Sequence, residues 1–176
     1  MKDVLDIPRT AMEVFEMLPE GTLCEVIDNA LYMSPSPTTD HQDILGEIFL
    51  EIATACKKNR YGKVLLSPCD VYLDNGESVV QPDLLFIKEA RRAIIEKKGI
   101  IGSPDFVIEI LSTNLKFDKE TKLQLYQRNS IPEYFIIDPE TKSVLHYLLV
   151  DDAYQLQENK PVGQLYIKQL DLQVNF

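Results

Sequence analysis

The stretch Pro104–Lys122, PDFVIEILSTNLKFDKETK, is the part of the chain around which the other elements are arranged. It opens with an apolar run typical of a buried strand, Phe106–Leu111, which carries one carboxylate, Glu109. A carboxylate near the end of a buried strand is costly to desolvate unless it is paired or binds a metal, so Glu109 is a candidate site residue. After a polar break comes a predicted helix with three residues on one face, at steps of four: Asp118, Lys122 and Tyr126.

A second acid, Asp83, interrupts another β-rich apolar run, Val79–Ile87. Pro82 stands directly before it, and a proline within a strand is tolerated mainly at edges or bends, where a side chain can be aimed out of the sheet. Asp83, Glu109 and Lys122 could therefore converge. Two carboxylates suit a hard divalent cation such as Mg²⁺, which keeps several waters, and a nearby lysine can orient or help deprotonate one of those waters.

The length of 176 residues predicts one domain, 1–176, with a substantial core. No apolar run approaches the roughly 20 residues that span a bilayer, and the start lacks a signal pattern, so we expect a soluble cytoplasmic protein without membrane contact. Cys24, Cys56 and Cys69 show no CxxC spacing, which favours small core residues over disulfides or zinc ligands.

The net charge of −10 argues against tight non-specific binding to nucleic acid. The distribution of charge along the chain weakens this argument. Residues 1–56 hold 2 basic and 11 acidic side chains, whereas residues 57–128, which contain the candidate site, hold 13 basic and 10 acidic. Two basic clusters are either ordinary solvated helix ends or a phosphate-facing rim. They comprise Lys57, Lys58, Arg60 and Lys63, and Lys88, Arg91, Arg92, Lys97 and Lys98.

The pattern along the chain predicts a mixed α/β fold with a long helix on one face of the sheet. Upstream of Asp83 the elements are a helix over 11–18 capped by Thr10, strands over 23–27 and 30–33 joined at Asp28-Asn29, a long helix capped by Thr39 or Asp40 that runs to Tyr61, and a strand over 64–73 broken at Ser67-Pro68. Downstream are a helix over 88–96, the Glu109 strand, a helix over 118–129, a strand over 134–137 and a β-meander from Ser143. Strands on both sides of the 118–129 helix imply a parallel crossover.

These motifs, taken in order, resemble the restriction-endonuclease-like (PD-(D/E)xK) superfamily, and more closely its Uma branch, endonucleases of largely unknown function. The resemblance runs from about Gly21 through Asp138 and rests on Gln81-Pro82-Asp83, Glu109-Ile110-Leu111-Ser112, Asp118, Lys122, Tyr126 and Pro132-Glu133-Tyr134. It implies a mixed β-sheet core flanked by helices. It also implies Mg²⁺ or Mn²⁺ held by Asp83, Glu109 and the backbone carbonyl of Ile110, with Lys122 as the third essential side chain for phosphodiester hydrolysis.

The sequence departs from the superfamily pattern at two places. Leu111 stands where a lysine on the same strand face as Glu109 would lie, so the closer family's lysine, from the following helix, is matched by Lys122. The family's usual Pro-Ser-Thr after the serine is here Thr113-Asn114-Leu115.

Each site residue also has a purely structural interpretation. Glu109 and Lys122 could form a buried salt bridge, which answers the desolvation argument without a metal. Lys122 could instead pair with Asp118, at only ~0.3–0.5 kcal/mol when exposed. Asp83 could be a strand-end carboxylate bonded to backbone.

Two further residues are possible accessories to the site. Glu25 either supports it or is an exposed hairpin residue, and His41 is either a phosphate contact or proton carrier, or a solvated histidine. Asp105 forms a second Pro-Asp, but four strand residues place it roughly 13 Å from Glu109, too far to share one ion.

The leading functional prediction is a Mg²⁺-dependent endonuclease acting on nucleic acid, with DNA as the expected substrate. A homodimer is expected because cleaving both strands requires two active sites. The alternative is a catalytically silent member of the same fold that serves as an interaction or regulatory domain. The net charge favours this alternative, because a nuclease without a strongly basic groove needs a dimer or a DNA-binding partner to provide one.

Overall fold

A computed structural model of the chain describes residues 7–111, 117–157 and 161–176. Its helices and strands are α1 (Ala11–Glu16), β1 (Cys24–Ile27), β2 (Ala30–Met33), α2 (Thr39–Asn59), β3 (Gly62–Leu66), β4 (Val71–Leu73), β5 (Ser78–Val80), β6 (Leu84–Lys88), β7 (Ile95–Glu96), β8 (Gly99–Ile101), β9 (Phe106–Ile110), α3 (Leu123–Arg128), β10 (Glu133–Ile137), β11 (Val144–Val150), β12 (Ala153–Leu156), β13 (Gln164–Ile167) and β14 (Leu172–Asn175). A π-helical segment, Phe117–Lys122, runs directly into α3. The predicted loop residues Ser112 to Leu115 and the side chain of Asp118 lie outside the described residues.

The described strands form two six-stranded sheets and one separate hairpin. The first sheet has the order β2-β1-β5-β4-β8-β7, the second has the order β12-β11-β10-β9-β6-β3, and β13 pairs with β14. Strands β9 and β10 are parallel, and the segment that contains α3 connects them, as the crossover argument predicted. The α/β class and the mixed sheet flanked by helices are confirmed, with the C-terminal strands arranged as two successive hairpins.

The second sheet is covered on both faces. Since alternate residues of a strand point to opposite faces, each inner strand contributes side chains to both covered faces. Phe106, Ile108 and Ile110 of β9 pack in one apolar cluster with α2 and the β13–β14 hairpin. Val107 and Leu111 pack in the other cluster, with α3 and the first sheet. Glu109 shares the direction of Val107 and Leu111, so it projects toward α3 and the first sheet.

Two sequence-based predictions upstream of Asp83 need correction. The strand predicted over 64–73 is two strands, since β3 pairs with β6 in the second sheet while β4 pairs with β5 and β8 in the first. Pro68, between them, lacks the N–H that a continuing strand would donate. The cap of α2 is Thr38, whose hydroxyl accepts from the His41 N–H, rather than Thr39 or Asp40.

The helix predicted over 88–96 is only a 3₁₀ helix, Glu89–Ile94, followed by the strand β7. Strand β7 turns back to pair with β8, in which Gly99 lies against the start of β4. A Cβ on Gly99 would be 2.4 Å from the carbonyl oxygen of Asp70, so this close approach of two backbones requires glycine. Among the described helices, none is long and apolar enough to cross a membrane. The single domain over 1–176 stays a prediction.

Arg128, at the end of α3, ties this helix to two turns of the first sheet. Its Nη2 donates to Asp74 at 2.7 Å and to Asp28 at 2.8 Å, and Asn129 donates to Asp74 at 2.8 Å. Partial burial would raise the pKa of Asp74, but hydrogen bonds from Arg128, Ser78 and Asn129 outweigh it and lower this pKa below its usual value. Arg128 therefore fixes the helix that carries the candidate lysine against the first sheet.

We expect Arg128→Ala to lower the free energy of unfolding by about 1 kcal/mol at neutral pH, discounted for solvent screening at this half-exposed site. A lowered carboxyl pKa in the folded state contributes stability above the unfolded pKa and loses it as the pH falls through the folded pKa. The cost of Arg128→Ala should therefore shrink in acid, as the pH falls through the lowered pKa of Asp74. Urea unfolding of the variant and the wild type at neutral pH and in acid tests this. Arg92→Ala, which removes only an exposed pair with Glu89, is the control, and an equal cost for both variants would contradict the prediction.

Candidate active site

Asp83 and Glu109 lie opposite each other at the ends of neighbouring strands. Strands β6 and β9 are antiparallel with Leu84 paired to Ile108, so the next pair in this register is Asp83 with Glu109. The Asp83 N–H donates to Glu109 Oε2 at 3.4 Å, and the Ile110 N–H donates to Asp83 Oδ2 at 2.7 Å. The two acids that were identified from separate motifs are thus brought together at one edge of the second sheet.

Lys122 lies between two buried carboxylates. Its Nζ is 2.9 Å from Glu109 Oε1 and 3.1 Å from Glu25 Oε1. The lysine is 5 % exposed and each glutamate 3 %, so the charges face one another with little water between them. Leu111, at the strand position where the superfamily pattern has a lysine, packs in the apolar cluster beside α3. The lysine of this site comes from the π-helical segment, as the helix spacing predicted. The buried salt bridge is therefore present, and it does not by itself exclude an ion beside Asp83.

Tyr126 is a second donor to Glu109, and the sequence argument gave it no role. Its hydroxyl donates to Glu109 Oε1 at 2.6 Å. Burial, together with the neighbouring Glu109 carboxylate, raises the pKa of Tyr126 well above its usual value. The phenol therefore stays protonated and remains a donor. The signal in the sequence was its position four residues after Lys122, on the same helical face.

Both accessory residues are buried in the site, so their solvent-exposed interpretations are wrong. Glu25 lies on β1, which is enclosed between β2 and β5, and its Oε1 accepts from the Gln81 N–H at 2.7 Å. His41 is 6 % exposed, in the first turn of α2, and its Nε2 lies 3.1 Å from Asp83 Oδ2. Their chemical roles stay predictions, but each contacts one of the proposed catalytic residues directly.

The donor set of this site fits a hard cation. Among the described residues, the site holds three carboxylates and one lysine, and its formal charge is therefore negative. The carboxylates are those of Glu25, Asp83 and Glu109. Both bonds to the Asp83 carboxylate from described residues reach Oδ2, and its side chain is 18 % exposed. The N–H and C=O of one strand residue point to the same side of the strand, so the Ile110 carbonyl faces the β6 side, as its N–H does.

No group of three or more His, Cys, Asp or Glu side chains in the described part of the chain is arranged to hold a metal. Mg²⁺ typically uses one or two carboxylates and keeps several waters, and the pair of carboxylates with a backbone carbonyl suits that mode of binding.

Two other buried acids have structural partners away from this site. Asp105, the second Pro-Asp, accepts from the Lys88 N–H at 2.8 Å and from Arg91 at 3.1 Å. Glu133 is fully buried and lies 2.8 Å from His146 Nε2. It also accepts backbone N–H groups of residues 168 and 169, which ties β10 to the loop after β13. No sequence pattern indicated a partner for His146, because the pairing depends on the β10–β11 register.

Fold and site together define the class of protein: an α/β protein with acids at the ends of two neighbouring strands and a lysine from the helix that follows. The chain belongs to the Uma2 family, described as "Putative restriction endonuclease", whose model matches residues 11–176. No curated protein matches the chain. Among solved structures, the chain is similar to a "putative nuclease belonging to DUF820" from Anabaena variabilis, with a TM-score of 0.76 and 21 % identity over 96 % of this chain and 95 % of that one. At this identity the likeness shows a shared fold.

Replacing Tyr126 by Phe should lower the free energy of unfolding more than replacing Tyr154 by Phe does. The variant loses a hydrogen bond to a buried carboxylate, worth about 1.5–3 kcal/mol, whereas Tyr154→Phe loses a bond to the neutral carbonyl of Ile131, worth about 0.5–1.5 kcal/mol. Chemical denaturation of the two variants beside the wild type measures the difference. An equal or smaller loss for Tyr126→Phe would mean that this phenol does not support Glu109.

Proposed function

We propose that the chain is a Mg²⁺- or Mn²⁺-dependent endonuclease that hydrolyses phosphodiester bonds in DNA. The observation that carries the proposal is the convergence of Asp83, Glu109 and Lys122 through direct contacts at one sheet edge. Membership of a family described as "Putative restriction endonuclease" supports it, as does the fold shared with a protein described as a "putative nuclease".

In this proposal Asp83, Glu109 and the Ile110 carbonyl hold the ion. When bound, the ion would polarise a phosphate oxygen and offset charge developing on the phosphate. Lys122 would orient the attacking water and stabilise negative charge as an ammonium. The carboxylates of Glu25 and Glu109 on either side of its Nζ hold the ammonium in a fixed position, which suits the orientation of a water molecule. His41 would hold Asp83 in place or carry a proton.

The remaining parts of the proposal concern DNA and a second copy of the chain. Lys57 and Lys58, exposed in the last turn of α2, can contact phosphate, whereas Arg91 is already paired with Asp105. Because the net charge is −10, these few cations alone do not provide enough positive charge to bind the phosphates of DNA, and further basic surface is needed. A homodimer would supply it and would also provide one active site for each DNA strand.

The second candidate function is that of a catalytically silent interaction or regulatory domain. It is favoured by the buried Lys122 pair, which compensates Glu109 and Glu25 without any ion. In that case the network stabilises the junction of the two sheets and no nucleic acid is cut.

The test is cleavage of supercoiled plasmid and of single-stranded DNA with Mg²⁺ or Mn²⁺. We expect Lys122→Ala to lower the cleavage rate by about 100-fold or more while metal binding is retained. Lys119→Ala, which alters an exposed lysine on the same helical segment, should cleave like the wild type. Circular dichroism checks that each variant is folded, because breaking a buried pair is itself destabilising.

Two results would count against the proposal. Unchanged cleavage by Lys122→Ala would remove the lysine from the mechanism. A wild-type protein that neither cleaves DNA or RNA with either ion nor binds them at low salt would favour the catalytically silent alternative.

A further inference from the structure

A cleft of about 280 Å³ opens beside the candidate active site, between α1, the chain that follows it, and the first sheet. Its wall includes the half-buried rings of Phe15 and Tyr72 and the polar side chains of Asp70 and Gln81. Gln81 stands two residues before Asp83, so the cleft adjoins the proposed catalytic edge. None of the residues described above as catalytic lines it.

Gln81 connects this cleft to the proposed catalytic lysine. Its side-chain Nε2 donates to Asp70 Oδ1 at 2.8 Å and to the Thr22 carbonyl at 3.1 Å, which holds it in the cleft wall. Its backbone N–H donates to Glu25 Oε1, and that same oxygen contacts Lys122. Two hydrogen-bonded steps therefore separate the wall of the cleft from Lys122.

The cleft is lined by hydrogen-bond acceptors and flat apolar groups. Within the described residues, Gln81 Oε1 and Asp70 Oδ2 receive no hydrogen bond. Glu16 and Glu20 add further negative charge, and among the described residues the lining contains no Lys, Arg or His. A phosphate or carboxylate would be repelled here. A planar ligand that carries amino donors would stack on the aromatic rings and satisfy the acceptors.

One exposed cation contacts an aromatic ring that lines the cleft. Lys98 Nζ is 4.8 Å from the centroid of the Tyr72 ring, and Lys98 is exposed. An ammonium in this place can meet a phosphate attached to a planar group bound in the cleft. The acceptors and aromatic rings inside the cleft match an amino-bearing base, and the cation matches a phosphate attached to it.

We propose that the cleft binds one unstacked, amino-bearing nucleobase of the nucleic-acid substrate. The base would stack on Tyr72 and Phe15 and donate to Asp70 and Gln81, and Lys98 would contact its phosphate. This rests on the proposed endonuclease function and adds a site for base recognition to it. Unstacking a base costs least in single-stranded or distorted DNA, so such a substrate is favoured.

The test follows the amide resonances of the metal-free protein by NMR during titration with three phosphate-bearing probes and, separately, with arginine amide. Cytidine monophosphate has a base with an amino group, uridine monophosphate has a base without one, and ribose phosphate has no base. We expect cytidine monophosphate to shift the amides of residues 70–72 and 81. Uridine monophosphate should bind about tenfold more weakly, and ribose phosphate should leave these amides unchanged.

A pair of tyrosine variants tests the stacking contact. Tyr72→Leu should weaken binding of cytidine monophosphate by about tenfold or more. Tyr61→Leu changes an exposed tyrosine outside the cleft and should bind as the wild type does. If Tyr72→Leu does not fold, the comparison of the three probes on the wild type still decides the matter.

Three outcomes would overturn the inference: no shifts at the cleft with millimolar nucleotide, equal shifts with ribose phosphate, or stronger binding of arginine amide, which would make the cleft a site for organic cations. Because no divalent ion or cleavage is involved, the result is independent of the proposed activity. Cleavage without base binding would refute the base site alone, and base binding without cleavage would refute the nuclease alone.

Discussion

The structure depends on the placement of one ammonium group between two buried carboxylates. Lys122 comes from the helical connection between two parallel strands, Glu109 from the second sheet and Glu25 from the first. A buried charge is tolerated only when it is paired and hydrogen-bonded, so these three elements must be positioned together. The Tyr126 hydroxyl and the Gln81 N–H complete the set of donors, and Arg128 fixes the far end of the same helix.

The same interaction connects stability with the proposed chemistry. Lys122 compensates for one negative charge, whereas the described network holds three carboxylates. Asp83, at the edge of the network, is the most exposed of the three and has an oxygen that accepts no bond from the described residues. A divalent cation bound there would offset the remaining negative charge, and Lys122 would stay beside it as a fixed positive group. The salt bridge and the proposed metal site are thus compatible within one arrangement.

The candidate site residues that were predicted from sequence are those whose positions follow from the local strand and helix patterns. Glu109 stood out because it interrupts a buried strand, Asp83 because it follows a proline in an apolar run, and Lys122 because helical spacing placed it after that strand. The parallel crossover followed from the alternation of strands and helix.

The rest depends on which elements pair, and a local pattern does not contain that information. Glu25 is buried only because β1 is flanked by β2 and β5, and His41 reaches Asp83 only because the first turn of α2 packs over the end of β6. The division of the 64–73 segment between two sheets, and the pairing of Glu133 with His146, likewise arise from tertiary contacts.

The most direct test of the central claim is thermal unfolding with and without Mn²⁺ or Mg²⁺, on the wild type and on Asp83→Ala, Glu109→Ala and the control Asp105→Ala. An ion at a hundred times its dissociation constant should stabilise the wild type by about 2.7 kcal/mol. The account predicts that this gain disappears in Asp83→Ala and Glu109→Ala and persists in Asp105→Ala, whose carboxylate pairs with Arg91 instead. No gain in the wild type, or a gain that survives both site variants, would contradict it.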